Sequence, residues 1–97
     1  MSTSITKDQL KQNIDDYIII DVRENDELEK GVIKNSQNMP LGLVIRNVKQ
    51  GKINDLKSKK ICTYCASGYR GSIASDELNK SGFNAVNLEG GFMAWIN

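Results

Sequence analysis

The sequence of 97 residues contains no histidine, one proline, one tryptophan and only two cysteines. Without histidine, the chain can build neither a Cys–His catalytic pair nor a histidine general base. Two cysteines three positions apart are too few and too close for the disulfide framework of a secreted domain. With no histidine, they would also leave a zinc ion short of protein ligands, so we expect no metal site.

Long hydrophobic runs are missing as well. No stretch approaches the ~20 apolar residues that cross a bilayer, and residues 1–4 do not begin a signal peptide. The formal charge of +1 gives no general reason to expect a nucleic acid or a membrane surface as partner. We therefore expect a cytoplasmic monomer that binds neither of them.

What the chain does contain is ordinary for a small globular protein. Hydrophobic residues make up 39% and charged residues 26% of the sequence. A chain of this length can bury a core without metal or disulfide crosslinks. Because no linker, repeat or low-complexity segment interrupts it, we predict a single domain over residues 1–97.

Short apolar runs alternate with helical patterns along the chain. The clearest run, residues 17–22, contains three consecutive isoleucines and is typical of a strand buried on both faces of a parallel sheet. Thr6 and Gln9 form the capping-box pattern that opens a helix. This alternation predicts an α/β fold with a parallel sheet. We predict strands at residues 4–5, 17–22, 36–39, 61–64 and 83–88, helices at residues 7–13, 24–30, 42–50 and 71–81, and a last short turn ending at Trp95.

The segment that indicates chemistry is residues 61–73. An apolar run stops at Cys65, a loop of small residues follows, and Arg70 stands just before a helical pattern. Backbone N–H groups, a helix N-terminus and a guanidinium all favour negative charge at one point. We expect them to hold Cys65 as a thiolate, the reactive form of cysteine, with its sulfur accessible at the edge of the sheet. A structure in which that sulfur is buried, or in which the N–H groups turn away from it, would refute this interpretation.

Three further residues attract attention near this edge. Asp21 and Arg23 end the second predicted strand, and we favour a structural ion pair that orients the loops over direct contact with a substrate. Gly68 is expected to need a positive φ or to leave room for a substrate.

Four motifs follow one another along nearly the whole chain. They are Ile19-Ile20-Asp21-Val22-Arg23-Glu24, Asn38-Met39-Pro40-Leu41, Cys65-Ala66-Ser67-Gly68-Tyr69-Arg70 and Asn87-Leu88-Glu89-Gly90-Gly91-Phe92-Met93-Ala94-Trp95. In this order they resemble the rhodanese family. The resemblance implies a three-layer fold in which a five-stranded parallel sheet is flanked by helices on both faces. It also implies sulfurtransferase activity through a persulfide on Cys65, without a cofactor.

These observations give one mechanistic hypothesis. The Cys65 thiolate attacks the outer sulfur of a donor such as thiosulfate or a persulfide, and a thiophilic acceptor (cyanide, a thiol or a protein) then removes that sulfur. Arg70 would attract the anionic donor, while backbone N–H groups of the loop would hold the transferred sulfur. The substrate-binding residues would be Ala66, Ser67, Gly68, Tyr69, Arg70 and Gly71.

The chain also departs from the family pattern. Many members have His-Ile-Pro-Gly-Ala where this chain has Val-Ile-Lys-Asn-Ser at residues 32–36, and Gly71 stands where serine is commoner. The loop after Cys65 contains no lysine, so Arg70 is its single formal positive charge. A small dianion such as thiosulfate would therefore be held weakly.

Three other functions are compatible with parts of the pattern. Cysteine phosphatases and arsenate reductases place five residues between cysteine and arginine, whereas this chain has four. A dithiol pair of Cys62 and Cys65 would need both sulfurs on one face, but positions i and i+3 of a strand point to opposite faces. A sulfur relay between proteins, or a regulatory binding module, remains the main alternative to a free enzyme.

Overall fold

The computed structural model describes residues 3–97, so the first two residues of the segment considered for a signal peptide lie outside it. Five parallel strands form one sheet in the order β1-β5-β4-β2-β3. The predicted five-stranded parallel sheet is confirmed. The strands are β1 (Ser4–Ile5), β2 (Tyr17–Asp21), β3 (Gln37–Asn38), β4 (Lys60–Tyr64) and β5 (Asn84–Leu88).

Four α-helices and three 3-10 helices connect these strands within residues 3–97. Thr6 caps the first helix, and the reciprocal hydrogen bonds of the predicted capping box with Gln9 are both present. The α-helices are α1 (Lys7–Gln12), α2 (Leu41–Lys49), α3 (Tyr69–Lys80) and α4 (Gly91–Trp95). The 3-10 helices are Ile14–Asp16, Asn25–Lys30 and Asn54–Ser58.

The sheet separates two hydrophobic cores, which confirms the three-layer arrangement. Successive strand residues point to opposite faces, so the neighbours Ile19 and Ile20 enter different cores. On one face α2 and α3 cover the sheet, and on the other face α1 and α4 do so. The first core includes Ile20, Val44, Ile61, Ala74 and Leu78, and the second includes Leu10, Ile19, Tyr64, Leu88 and Phe92.

The boundaries differ from the predictions in two places that matter. Helix α3 begins at Tyr69 rather than at residue 71, because Gly68 takes the N-cap position and its carbonyl accepts the Ser72 N–H at 3.0 Å. The 3-10 helix Asn54–Ser58 was not predicted, since its mostly polar residues show no apolar periodicity. No helix within residues 3–97 has the length and apolar character to cross a bilayer.

Candidate active site

Cys65 directly follows β4, at the carboxyl edge of the sheet. Strands β2 and β4 pair in register, with Asp21 opposite Tyr64, so the end of β2 lies beside the residue that precedes Cys65. This is the edge at which open parallel sheets bind ligands. The two polar strand ends that the sequence singled out are therefore neighbours.

The Cys65 sulfur lies beneath its own loop. The Gly68 N–H donates a hydrogen bond to Sγ at an N–S distance of 3.1 Å, as expected for a group that stabilises a thiolate. Cys65 is nevertheless only 1% exposed, and it packs into the core that α2 and α3 cover. The expectation of an accessible sulfur is wrong for this conformation, because the loop folds back over the atom.

The prediction that the N–H groups of residues 66–71 hold the transferred sulfur stays a prediction, since it concerns the outer sulfur of a persulfide and not Sγ itself. Of these six residues, Gly68 is the one whose N–H bonds to Sγ in the described range 3–97. The peptide groups that contain the N–H of Ala66 and of Ser67 are instead held through their carbonyl oxygens by N–H groups of α4. The Phe92 N–H donates to the Cys65 carbonyl at 2.8 Å, and the Met93 N–H donates to the Ala66 carbonyl at 3.0 Å. In a trans peptide the N–H points opposite to the C=O, so the N–H groups of Ala66 and Ser67 point away from α4.

This contact between α4 and the loop needs a glycine. Gly91 has a φ of +62°, and a Cβ atom there would lie 2.5 Å from the Cys65 carbonyl oxygen and 2.7 Å from that of Ala66. Real Cβ atoms do not approach oxygens so closely. Only glycine lets the backbone of α4 reach the loop and donate its first N–H groups to it.

Of the two alternatives predicted for Gly68, a positive φ or room for a substrate, the structure shows the positive φ. Its φ is +114°, a region that residues with a side chain rarely adopt. A Cβ atom would meet its nearest atom, the Gly90 nitrogen, at an ordinary 3.6 Å. The glycine is therefore required by backbone conformation and not by crowding.

Asn87 is a residue of the site whose role the sequence did not reveal. From β5, its side-chain Nδ2 donates to the Gly68 carbonyl at 3.1 Å. Its Oδ1 would lie 2.2 Å from a Cβ atom at Gly71, so the serine that is commoner in the family would not fit without movement of Asn87. The signal available was its place in the last family motif, which says nothing about this contact.

Asp21 and Arg23 form the expected ion pair, which is buried. The Arg23 Nη2 donates to Asp21 Oδ2 at 2.7 Å, and these hydrogen bonds raise the pKa of Arg23. The guanidinium also donates to the backbone carbonyls of Gly31 at 2.9 Å and Glu27 at 3.3 Å. It lies over the Phe92 ring, 4.6 Å from the centroid. The pair thus ties the 3-10 helix Asn25–Lys30 to β2 and α4.

Arg70 is not a free cation. Its Nη1 and Nη2 donate to the two carboxylate oxygens of Glu27 at 2.6 and 2.9 Å. These bonds lower the pKa of Glu27 from its ordinary 4.5 to about 2. Both side chains are about one-third exposed. The sequence analysis treated Arg70 as a free charge and overlooked the carboxylate of Glu27 that pairs with it. That Arg70 attracts an anionic donor stays a prediction.

Cys62 lies away from the site. It is fully buried in the core that α1 and α4 cover, whereas Cys65 belongs to the opposite core. Burial raises the pKa of the Cys62 thiol to about 12. Both cysteines are free. The prediction that the two sulfurs occupy opposite faces is confirmed, and it leaves no geometry for a disulfide between them.

A cleft of about 490 Å³ lies beside the loop. Its wall includes Ala66, the residue after Cys65. Met93 and Ile96 also line it, and their side chains are 58% and 65% exposed. Phe92 completes this apolar side. The rest of the lining is charged and comprises Arg23, Asp26, Glu27, Glu29 and Lys30. Tyr69, at the tip of the loop, is 75% exposed.

The sequence model of the family described as "Rhodanese-like domain" matches residues 6–97. The chain belongs to the rhodanese family. YtwF of Bacillus subtilis (strain 168), named provisionally as a sulfurtransferase, is 33% identical over 98% of this chain and 87% of its own. The family role of such relatives is sulfur transfer.

Solved rhodanese structures share the whole architecture. A rhodanese-related protein of Thermoplasma volcanium superposes with a TM-score of 0.83 at 37% identity, over 97% of this chain and 90% of its own. A Rhodopseudomonas palustris CGA009 protein of unknown function, named as a possible tyrosine phosphatase, superposes at 0.86 with 28% identity, over 98% and 80%. The rhodanese fold is therefore established for this chain.

Proposed function

We propose that this chain is a sulfurtransferase that moves sulfane sulfur from thiosulfate or a persulfide to a thiophilic acceptor through a Cys65 persulfide. The observation that carries the proposal is the Gly68 N–H bond to Sγ at the N-terminus of α3. This N–H and the helix dipole both stabilise negative sulfur. Neither needs a histidine, and the chain has none.

The sulfur balance of the reaction is simple. With thiosulfate, the Cys65 thiolate attacks the outer sulfur, the S–S bond to the sulfonate sulfur breaks, and sulfite leaves with the bonding electron pair. The enzyme keeps Cys65–S–S⁻. A cyanide ion or a thiolate then attacks the terminal sulfur and releases the Cys65 thiolate. Because Sγ is covered in the resting conformation, the loop of Ala66, Ser67 and Gly68 has to open before the donor arrives.

Substitution of the two cysteines tests this reaction. Cys65→Ser should abolish thiocyanate formation from thiosulfate and cyanide, while Cys62→Ala, the matched control, should retain it. Intact-mass analysis after donor treatment should show one added sulfur that maps to Cys65 in the native protein. Activity that survives in Cys65→Ser, or a donor that leaves no sulfur on the protein, would refute the mechanism.

The burial of Cys65 also supports the relay alternative, in which a partner protein opens the loop. A relay would accept sulfur from a protein persulfide much faster than from thiosulfate. Turnover of an aryl phosphate, lost in Cys65→Ser, would instead support a phosphatase. We propose a cytoplasmic monomer as the acting form, since free cysteines are typical of a reducing compartment.

A further inference from the structure

We propose that this site takes sulfur from an organic donor with a single negative charge, R–S–S⁻ or R–SO₂–S⁻, in preference to dianionic thiosulfate. Glu27 sets this charge preference, and the cleft beside α4 receives the organic group R. The inference rests on the proposed reaction at Cys65 and specifies its donor.

The carboxylate of Glu27 is fixed in place. It accepts both hydrogen bonds from Arg70, and its Oε1 also accepts the Glu24 N–H at 3.1 Å. Its backbone carbonyl accepts a hydrogen bond from the Arg23 guanidinium. That guanidinium is held in turn by its ion pair with the buried Asp21. These contacts hold the negative charge of Glu27 beside Arg70.

This arrangement cancels the charge of the only cation in the loop. Because Coulomb energy scales with the product of the charges, a dianion loses twice as much attraction as a monoanion when Arg70 is neutralised. A single-charge donor loses less. Glu27 thus discriminates between donors through Arg70, without touching the reacting sulfur.

The cleft offers an apolar contact surface, which an organic donor can use and thiosulfate cannot. Its apolar side, formed by Phe92, Met93 and Ile96, adjoins the loop at Ala66. Exposed methionine and isoleucine side chains gain from covering an apolar group, whereas thiosulfate has none. An R group that leads into this cleft would leave the outer sulfur of its donor near the loop.

The chemistry is the same for each donor. The Cys65 thiolate forms an S–S bond with the terminal sulfur, the donor S–S bond breaks, and R–S⁻ or R–SO₂⁻ leaves with the electron pair. Thiosulfate releases sulfite in the corresponding step. No oxidant or reductant is required. Because the leaving groups differ in reactivity, it is the change in the ratio between donors from native protein to variant that reports recognition.

Three donors separate charge from apolar contact: thiosulfate, methanethiosulfonate and benzenethiosulfonate. Glu27→Gln should raise kcat/KM for thiosulfate relative to methanethiosulfonate by roughly three- to tenfold, as expected for the removal of one partly exposed charge next to the cation that attracts the donor. Added salt should reduce this change. Asp16→Asn, which removes an equal charge at the opposite edge of the sheet, should leave the ratio unchanged. A merely structural role of Glu27 would lower both rates together and overturn the charge assignment.

Met93→Ala tests the cleft. It should lower kcat/KM for benzenethiosulfonate relative to methanethiosulfonate by about threefold, the effect of losing part of an apolar contact. Leu43→Ala, an exposed position on α2 outside the cleft, is the control and should leave the ratio unchanged. Equal ratios in native protein and Met93→Ala would overturn the cleft assignment. If the native protein transfers sulfur from none of the three donors, the proposed sulfurtransferase function is wrong as well. If sulfur is transferred but the ratios of kcat/KM between donors are the same in native protein and variants, only the proposed donor preference is wrong.

Discussion

The side-chain amide of Asn87 on β5 donates a hydrogen bond of 3.1 Å to the carbonyl oxygen of Gly68, the residue whose own N–H bonds to the Cys65 sulfur. Both groups belong to the peptide units on either side of Gly68. Holding the carbonyl restricts the rotation that would carry the N–H away from sulfur. Asn87 is thus a positioning residue for the loop.

Asn87→Ala should therefore lower sulfur transfer by about tenfold, equivalent to about 1.4 kcal/mol of lost transition-state stabilisation. The loss of one buried hydrogen bond should cost about 1 kcal/mol of unfolding free energy. Steady-state kinetics and urea unfolding measure the two effects. Asn84→Ala, at the exposed start of the same strand, should change neither. An activity equal to that of the native protein would contradict the assigned role.

Gly68→Ala should reduce stability by about 1–2 kcal/mol, the cost of placing a side chain at positive φ. Sulfur transfer should fall further than this loss of stability implies, because any relaxation of φ moves the N–H from Sγ. Gly42→Ala is the matched control in α2, where a Cβ atom would meet nothing within 4 Å. It should stabilise the helix by up to about 1 kcal/mol and leave transfer unchanged. Chemical denaturation measures the unfolding free energies of both variants, and steady-state kinetics measure their rates of sulfur transfer. Losses in Gly68→Ala activity no larger than its loss of stability implies would contradict the prediction.

The Glu27–Arg70 pair should make stability depend on acid pH. Hydrogen bonds from Arg70 lower the pKa of Glu27 from 4.5 to about 2, so the ionised carboxylate stabilises the folded state above pH 4.5. This contribution is lost as the pH falls towards 2. The difference in unfolding free energy between native protein and Glu27→Gln should be largest at neutral pH and disappear near the lower pKa. A difference that stays constant with pH would show that the pair contributes nothing through charge. Glu77→Gln, which removes an exposed ion pair with Lys80, should show little pH dependence.

Thiol labelling should distinguish the two cysteines although both are buried. The Cys62 pKa of about 12 leaves almost no thiolate at neutral pH, whereas Gly68 stabilises negative charge on Cys65. Iodoacetamide should therefore modify Cys65 first, at a rate limited by opening of the loop. Peptide mapping of the native protein measures the order, and labelling in urea, where both thiols are solvated, is the control. Equal native rates would contradict this picture.

The elements that could be predicted are those encoded by neighbouring residues. The isoleucines of β2 and the capping box of α1 involve residues no more than three positions apart, so their patterns are visible in the chain. The start of α3 could not be placed correctly. It depends on Gly68 acting as an N-cap at positive φ, and the torsion angles of a loop glycine cannot be read from the sequence.

The contacts that shape the site are long-range. Glu27 and Arg70 are 43 positions apart, and Gly68 and Asn87 are 19 apart, so no spacing rule connects them. From the sequence, Arg70 therefore looked like a free cation. The Asp21–Arg23 pair holds the 3-10 helix Asn25–Lys30 beside β2, and the Glu27–Arg70 pair then changes the electrostatics of the site.

The sequence by itself determined the α/β class, the parallel sheet and the position of Cys65 at the end of β4, because apolar periodicity and strand length act locally. Only the tertiary structure decided that the sulfur is covered and that Arg70 is already paired. The pairing depends on where two segments 43 positions apart meet. The covering depends on how the loop after Cys65 is held against α4 and β5. Coulomb energy and burial are set by distance in space, not by separation along the chain.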